Sequence, residues 1–130
     1  MTIVYDIQYN IGEVVIMINK KEIIDNMTLE LRRGTLILSV LSQLKTPQYG
    51  YSLIQSLESR KIFIEAGTLY PLMRRLELQE LLVSEWETTG TKPRKYYVLS
   101  ESGKRILDEL TTEWNIMASN MNELLNKGDE

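Results

Sequence analysis

The stretch from Glu65 to Leu99 constrains the fold most, because it sets a helix with one committed face directly ahead of a hairpin with a basic loop. Leu69, Leu72, Met73 and Leu76 fall at i, i+3, i+4 and i+7, which commits one stripe of that helix to a core. At normal helical pitch Gly67, Pro71 and Arg74 lie opposite the stripe, with Thr68, Tyr70 and Arg75 flanking it. Small residues there admit a closely approaching backbone, and arginine pairs bidentately with a phosphate or a guanine edge. Val83 to Glu87 and Lys95 to Leu99 read as strands, with a loop over Thr88 to Arg94 marked by Gly90 and Pro93. Lys92, Arg94 and Lys95 gather at that hairpin tip, a concentration of one sign that a purely structural hairpin does not need.

The flanking sequence supplies further helices. Leu36, Ile37, Val40, Leu41 and Leu44 predict a first helix over roughly Leu31 to Leu44, stopped by Thr46 and Pro47. A second runs from Tyr49 to about Lys61 with Leu53, Ile54 and Leu57 inward. Pro71 costs least near the start of its helix, which places Thr68 close to the N-cap. Ser100 is the expected N-cap of a last helix in which Leu107, Leu110, Trp114, Met117, Met121 and Leu124 form a heptad seam. The seam is too short for a free-standing coiled coil, so it predicts packing on another helix with the same pattern. Three parts follow: an N-terminal extension over 1–30, a helical and hairpin body over 31–99, and a C-terminal dimerisation helix over 100–130.

The extension has two readings. Ile3, Tyr5, Ile7, Tyr9 and Ile11 alternate with polar residues, and Gly12 could turn that strand toward a second one at Val14 to Ile18. In the other reading Met17 is the true start, since Glu13-Val14 can be encoded as GAGGTG, which resembles a ribosome-binding site.

Composition narrows the function classes. The 130 residues suit one domain, and 43% hydrophobic content builds a modest core. With no histidine and no cysteine, the chain lacks imidazole bases, thiol nucleophiles, disulfides and the usual zinc ligands, so no metal site, cofactor or enzyme activity is expected. The longest apolar run, Val14 to Ile18, falls far short of the roughly 20 residues of a membrane span, and a cytoplasmic protein is expected. The net charge of −3 is uneven: residues 31–64 hold five basic groups against one acidic, and residues 100–130 three against seven. Local phosphate contacts set nucleic-acid affinity, so the total is the wrong quantity to judge by.

Four linked motifs, LRRGTL, YGY, GTLYPLMRRLE and PRKYYVLSESG, resemble the PadR-like family of winged-helix transcriptional regulators in its short form with one C-terminal helix. The resemblance runs from Leu31 to Leu99, extends into the last helix, and does not include Met1 to Asn26. It implies a mainly α winged helix-turn-helix with a small β-hairpin wing, whose C-terminal helix exchanges with the first helix of a second subunit. By resemblance Tyr49, Tyr51, Tyr70 and Tyr96 are candidates for phosphate or base contact, while Tyr97 packs inward. In the multidrug-sensing branch a tryptophan eleven residues after the motif glycine stacks on flat aromatic ligands between subunits. Trp114 has that spacing from Gly103, with Met117 and Met121 as adaptable lining.

The leading expectation is a homodimeric repressor on a two-fold operator in double-stranded DNA, relieved by a planar aromatic effector at the dimer seam. Thr68, Tyr70, Arg74 and Arg75 enter the major groove, Gly67 and Pro71 complete the DNA-binding face of that helix, and Lys92, Arg94 and Lys95 hold phosphates or the minor groove. The second reading is a protein-docking module on a winged-helix scaffold. On spacing alone Arg74 and Arg75 equally suit a solvated face paired with Glu77 and Glu80, Trp114 suits a volume-filling seam position, and Trp86 is expected to pack.

Overall fold

A computed structural model of the chain describes residues 11–127, so the Ile3 to Tyr9 alternation lies outside the described residues. Two compact units divide at Leu36. The first is dominated by α1 (Ile11–Arg33), with Glu13 in its first turn and Arg32 and Arg33 in its last, each sign where the helix dipole favours it. Val14 to Ile18 therefore lies in a helix, and the β-hairpin expected there is corrected. Its run of β-branched residues has strand propensity, but from Glu13 to Arg33 no glycine or proline interrupts the chain. A Lys21–Asp25 pair at 3.5 Å adds i,i+4 support. The helix expected over Leu31 to Leu44 is two helices: Leu31 to Arg33 close α1, and Thr35 returns its N–H and its hydroxyl to the Arg32 carbonyl.

The second unit holds the helix-turn-helix and the wing. Within it run α2 (Leu36–Ser42), β1 (Gln48–Tyr49), α3 (Gly50–Glu58), α4 (Ala66–Leu78), β2 (Leu82–Glu87), β3 (Arg94–Leu99) and α5 (Glu101–Asn126). Val40, Leu41, Leu44, Leu53, Leu57, Leu69, Met73 and Leu76 are almost wholly buried and form one core, so the α4 stripe faces inward as its spacing requires. The sheet has three strands in the order β1-β3-β2, all antiparallel. A two-residue strand at Gln48–Tyr49 is too short to show a period, which is why Tyr49 reads as helical in sequence.

Helices α3 and α4 end by the same device. Lys61 and Glu80 adopt left-handed backbone, with φ of 64° and 63°. Ile62 and Leu81 then donate back to the carbonyls of Leu57 and Leu76 at 2.9 and 3.0 Å. A side chain in that region costs about 1–2 kcal/mol relative to the right-handed form, and here it is held by the hydrogen bonds and by the burial of Leu57 and Leu76.

A junction after Leu81 fixes α4, the wing and α5 together. Ser100 N–H donates to the Leu81 carbonyl at 3.0 Å, its hydroxyl donates to the Glu80 carbonyl at 2.6 Å, and the same oxygen accepts from Gly103 N–H at 3.0 Å as the N-cap of α5. Leu99 N–H donates to the Leu44 carbonyl at 2.9 Å and ties in the end of α2. Gly103 is buried so closely against this turn that a Cβ would overlap the Leu81 carbonyl oxygen. Gly103→Ala is expected to destabilise the fold by about 1–3 kcal/mol despite its better helix propensity, because backbone cannot yield as a flexible side chain does. A thermal midpoint equal to wild type would contradict this packing.

Candidate nucleic-acid interface

On α4 the polar face is bare. Gly67, Thr68, Tyr70, Pro71, Arg74 and Arg75 are all exposed, while Leu69, Leu72, Met73 and Leu76 are buried. The N-cap is Glu65, three residues before the position expected at Thr68, so Pro71 sits in the second turn. Pro71 has no N–H to give the Gly67 carbonyl, which leaves that carbonyl open on the exposed face. Among the described residues no carboxylate lies within ion-pair distance of Arg74 or Arg75. Glu77 is turned elsewhere: it accepts from the Ser84 hydroxyl and pairs with Lys95 at 3.4 Å. Glu80 lies beyond the helix in its left-handed cap.

Two of the sequence motifs meet physically. A Cβ at Gly50 would overlap the Tyr70 ring, so the glycine of YGY makes the space in which the tyrosine of GTLYP lies against α3. Tyr70 keeps 42% of its surface exposed, and Tyr51 stands largely free in the first turn of α3.

Strand alternation sorts the wing into two faces. On one, Tyr49 of β1 meets Tyr96 of β3 edge to face at 5.9 Å, and Arg94 lies over the Tyr49 ring at 4.4 Å. Tyr49 donates to Glu87, and Tyr96 donates to Glu85 at 2.7 Å. On the other face Leu82, Ser84, Tyr97 and Leu99 turn toward α4, with Lys95 bridged to Glu77 and its ammonium 5.3 Å from the Tyr97 ring centroid. Tyr49, Arg94 and Tyr96 thus share one sheet face, Lys95 lies on the other, and the exposed Lys92 stands in the tip, which spans Thr88 to Pro93. Tyr97 is buried, but Trp86 is 62% exposed, which corrects its expected packing role. Alternation from Ser84 places Trp86 on the α4 side, opposite Lys95, at the outer end of the strand where the core gives out. Glu85 and Glu87 are the other residues missed in sequence; their cross-strand register with Tyr96 and Arg94 is the signal that finds them.

The C-terminal seam is uncovered. Leu107 is buried and Leu110 half-buried, but Trp114 is 43% exposed and Met117, Met121 and Leu124 still more so. Among the described residues no group of acidic side chains could hold a metal ion, and no helix is long and apolar enough to cross a membrane.

The carboxylates on the wing shift their partners. Hydrogen bonding to Glu87 raises the Tyr49 phenol above its ordinary value, helped by lost hydration and by the Glu87 charge and opposed by Arg94. Donation from Tyr49, then from Thr89, lowers Glu87, with Arg94 acting in the same direction against lost hydration. Hydrogen bonding to Glu85 raises Tyr96. The Tyr49 contribution to stability is therefore complete below about pH 10 and lost as pH rises through its raised value. That of Glu87 is complete above its ordinary carboxylate range and lost as pH falls through its depressed value. Glu87→Gln is expected to return the Tyr49 titration, followed by its ring resonances, toward pH 10; an unchanged titration would contradict the pairing.

The comparisons with known proteins agree with this geometry. The model of the transcriptional regulator PadR-like family matches residues 37–109. The crystal structure of a PadR family transcriptional regulator from Eggerthella lenta is 52% identical and superposes with a TM-score of 0.80, covering 83% of this chain and 96% of that one. A PadR family regulator from Clostridium difficile is 30% identical, with a TM-score of 0.66 over 70% of this chain and 98% of its own. The transcriptional regulator Rv3488 of Mycobacterium tuberculosis is 36% identical over 61 residues, 47% of this chain and 57% of that protein. With a winged helix-turn-helix, a bare arginine-bearing helix face and the family match over the body of the fold, the chain belongs to the PadR-like family of transcriptional regulators, which are DNA-binding regulators and not enzymes.

Proposed function

We propose that the protein is a homodimeric, sequence-specific repressor in which α4 reads the major groove and the wing grips the flanking backbone. The observation that carries this reading is the α4 face itself: two arginines without a carboxylate partner among the described residues, beside Gly67 and Thr68, over which a DNA backbone can come close. Among the described residues, its chain neighbours and its own helix backbone aside, no atom lies within 4 Å of where a Gly67 Cβ would stand. Gly67 stands in the first turn of α4, where glycine loses more backbone freedom on folding than alanine does. Tyr51 and Tyr70 border this face, and Lys92 and Arg94 extend it along the wing.

Dimerisation is supported by the exposed seam of α5, where Trp114, Met117, Met121 and Leu124 present apolar surface at heptad spacing. Two copies related by a two-fold axis would set their α4 helices about 34 Å apart, one turn of DNA. Trp114, flanked by the two methionines, gives such a seam a flat stacking surface for a planar aromatic effector that shifts the half-site spacing and releases DNA. The protein-docking reading is favoured only by the wing carboxylates, which already occupy Tyr49, Tyr96 and Lys95.

Fluorescence anisotropy of labelled DNA from upstream of the gene, against a scrambled duplex at about 150 mM salt, separates the readings. Nanomolar binding to the upstream DNA alone is expected. Arg74→Gln and Arg75→Gln should each weaken it by about 1–3 kcal/mol and flatten the salt slope by about 1 per protomer. Gly67→Ala should weaken binding while raising the thermal midpoint. Equal, weak binding to both duplexes by all variants would favour docking. Planar aromatic cations are expected to quench Trp114 emission, read as the quenching lost in Trp114→Phe; no such quenching up to their solubility limit would remove the effector from the account.

A further inference from the structure

We infer that Gly50 is a positioning residue for DNA recognition: its bare Cα at the start of α3 seats the Tyr70 ring and so keeps the reading face of α4 open. The inference rests on the DNA-binding reading of α4 and gives a part in it to a buried residue of a different helix. The backbone itself does not call for glycine at this place. Gly50 has no left-handed φ, and it stands in the first turn of α3, where alanine is the better helix former. What a side chain would meet is Tyr70. The three atoms nearest to an added Cβ are the Tyr70 hydroxyl oxygen and two of its ring carbons, all closer than the 3.0 Å that real Cβ atoms keep.

Shape alone holds the ring in this seat. Among the described residues the Tyr70 hydroxyl has no hydrogen-bond partner, whereas those of Tyr49 and Tyr96 are held by Glu87 and Glu85. With 42% of its surface exposed, Tyr70 can leave α3 without opening the core. Long side chains on a helix lean back over the residues three and four before them, which for Tyr70 are Gly67 and Ala66. The space above Gly67 is open among the described residues, so a ring driven from the Gly50 seat meets no obstacle there. It would then cover the surface of α4 that a DNA backbone approaches, one turn before Arg74. The seat thus couples α3 to the reading face through volume, with no charge and no hydrogen bond involved.

A double-mutant cycle on the full chain tests this, read by anisotropy of the upstream duplex and by thermal midpoint. Gly50→Ala is expected to stay folded and to bind about tenfold more weakly. In the Tyr70→Ala background, where no ring competes for the space, the same substitution should change affinity less than about twofold. The unaltered chain gives a second reading: the Tyr70 ring current should displace a Gly50 Hα resonance, an effect lost in Tyr70→Leu and retained in the DNA complex. If Gly50→Ala does not fold, that second reading decides. Wild-type affinity in Gly50→Ala, an equal loss with Tyr70 already truncated, or a Gly50 shift that vanishes on binding DNA would each overturn the inference. The α4 reading survives all three as long as Arg74→Gln weakens binding. Equal, weak binding of the unaltered chain to the upstream and scrambled duplexes would remove both.

Discussion

The carbonyl of Leu81 is where the geometry of the fold is decided. It lies just past the left-handed cap that ends α4, accepts Ser100 N–H, and presses against Gly103, so one peptide group fixes the end of α4, the return of the wing and the start of α5. The Ser100 hydroxyl locks the same turn by donating to the Glu80 carbonyl and capping α5. An N-cap is worth about 1 kcal/mol in an ordinary helix. Here it also starts α5 against the body, with Leu107 buried, from which the apolar seam runs on to the exposed Trp114, Met117, Met121 and Leu124.

With that frame held, α4 can be two-faced without strain elsewhere. Its leucines and Met73 fill the core, and its opposite face keeps no ion pair among the described residues. Among the described residues of α4, Glu77 is the acidic one at facing helical spacing from Arg74, and the wing takes it through Ser84 and Lys95. The cost is that Lys95 is partly spent on structure. Glu85 and Glu87 do the same to Tyr96 and Tyr49, so a phosphate reaching those hydroxyls has to displace a carboxylate. The wing is therefore a weaker electrostatic surface than its basic sequence suggests, and α4 is the stronger one.

Much of this was legible in the sequence, and the rest fails for physical reasons. The α4 stripe, the hairpin strands and the heptad seam each repeat a single period over enough residues to be read directly, and Ser100 is legible as a cap from its residue type ahead of a helical run. The LRRGTL opening was misplaced because Leu31 to Arg33 continues an earlier helix, and its boundary rests on the Thr35 hydrogen bonds and not on a change of pattern. Val14 to Ile18 misled because a β-branched run carries strand propensity into a helix whose context overrides it. Tyr49 reads as helical because a two-residue strand has no period, and the exposure of Trp86 escapes the sequence because a place on a strand does not say how far the core extends beneath it. The division of α4 into a buried stripe and an exposed face follows from helical pitch; the carboxylates that occupy the wing tyrosines need the strand register.

The central claim is that the bare face of α4 meets the edges of base pairs in the major groove, in two copies set by a two-fold dimer. Dimethyl sulfate protection of guanine N7 on the upstream DNA tests it most directly, because N7 lies only in the major groove. The account predicts two protected patches with centres about 10 bp apart, lost in Arg74→Gln with Arg75→Gln. Full N7 reactivity throughout a site that the protein nevertheless occupies would contradict it.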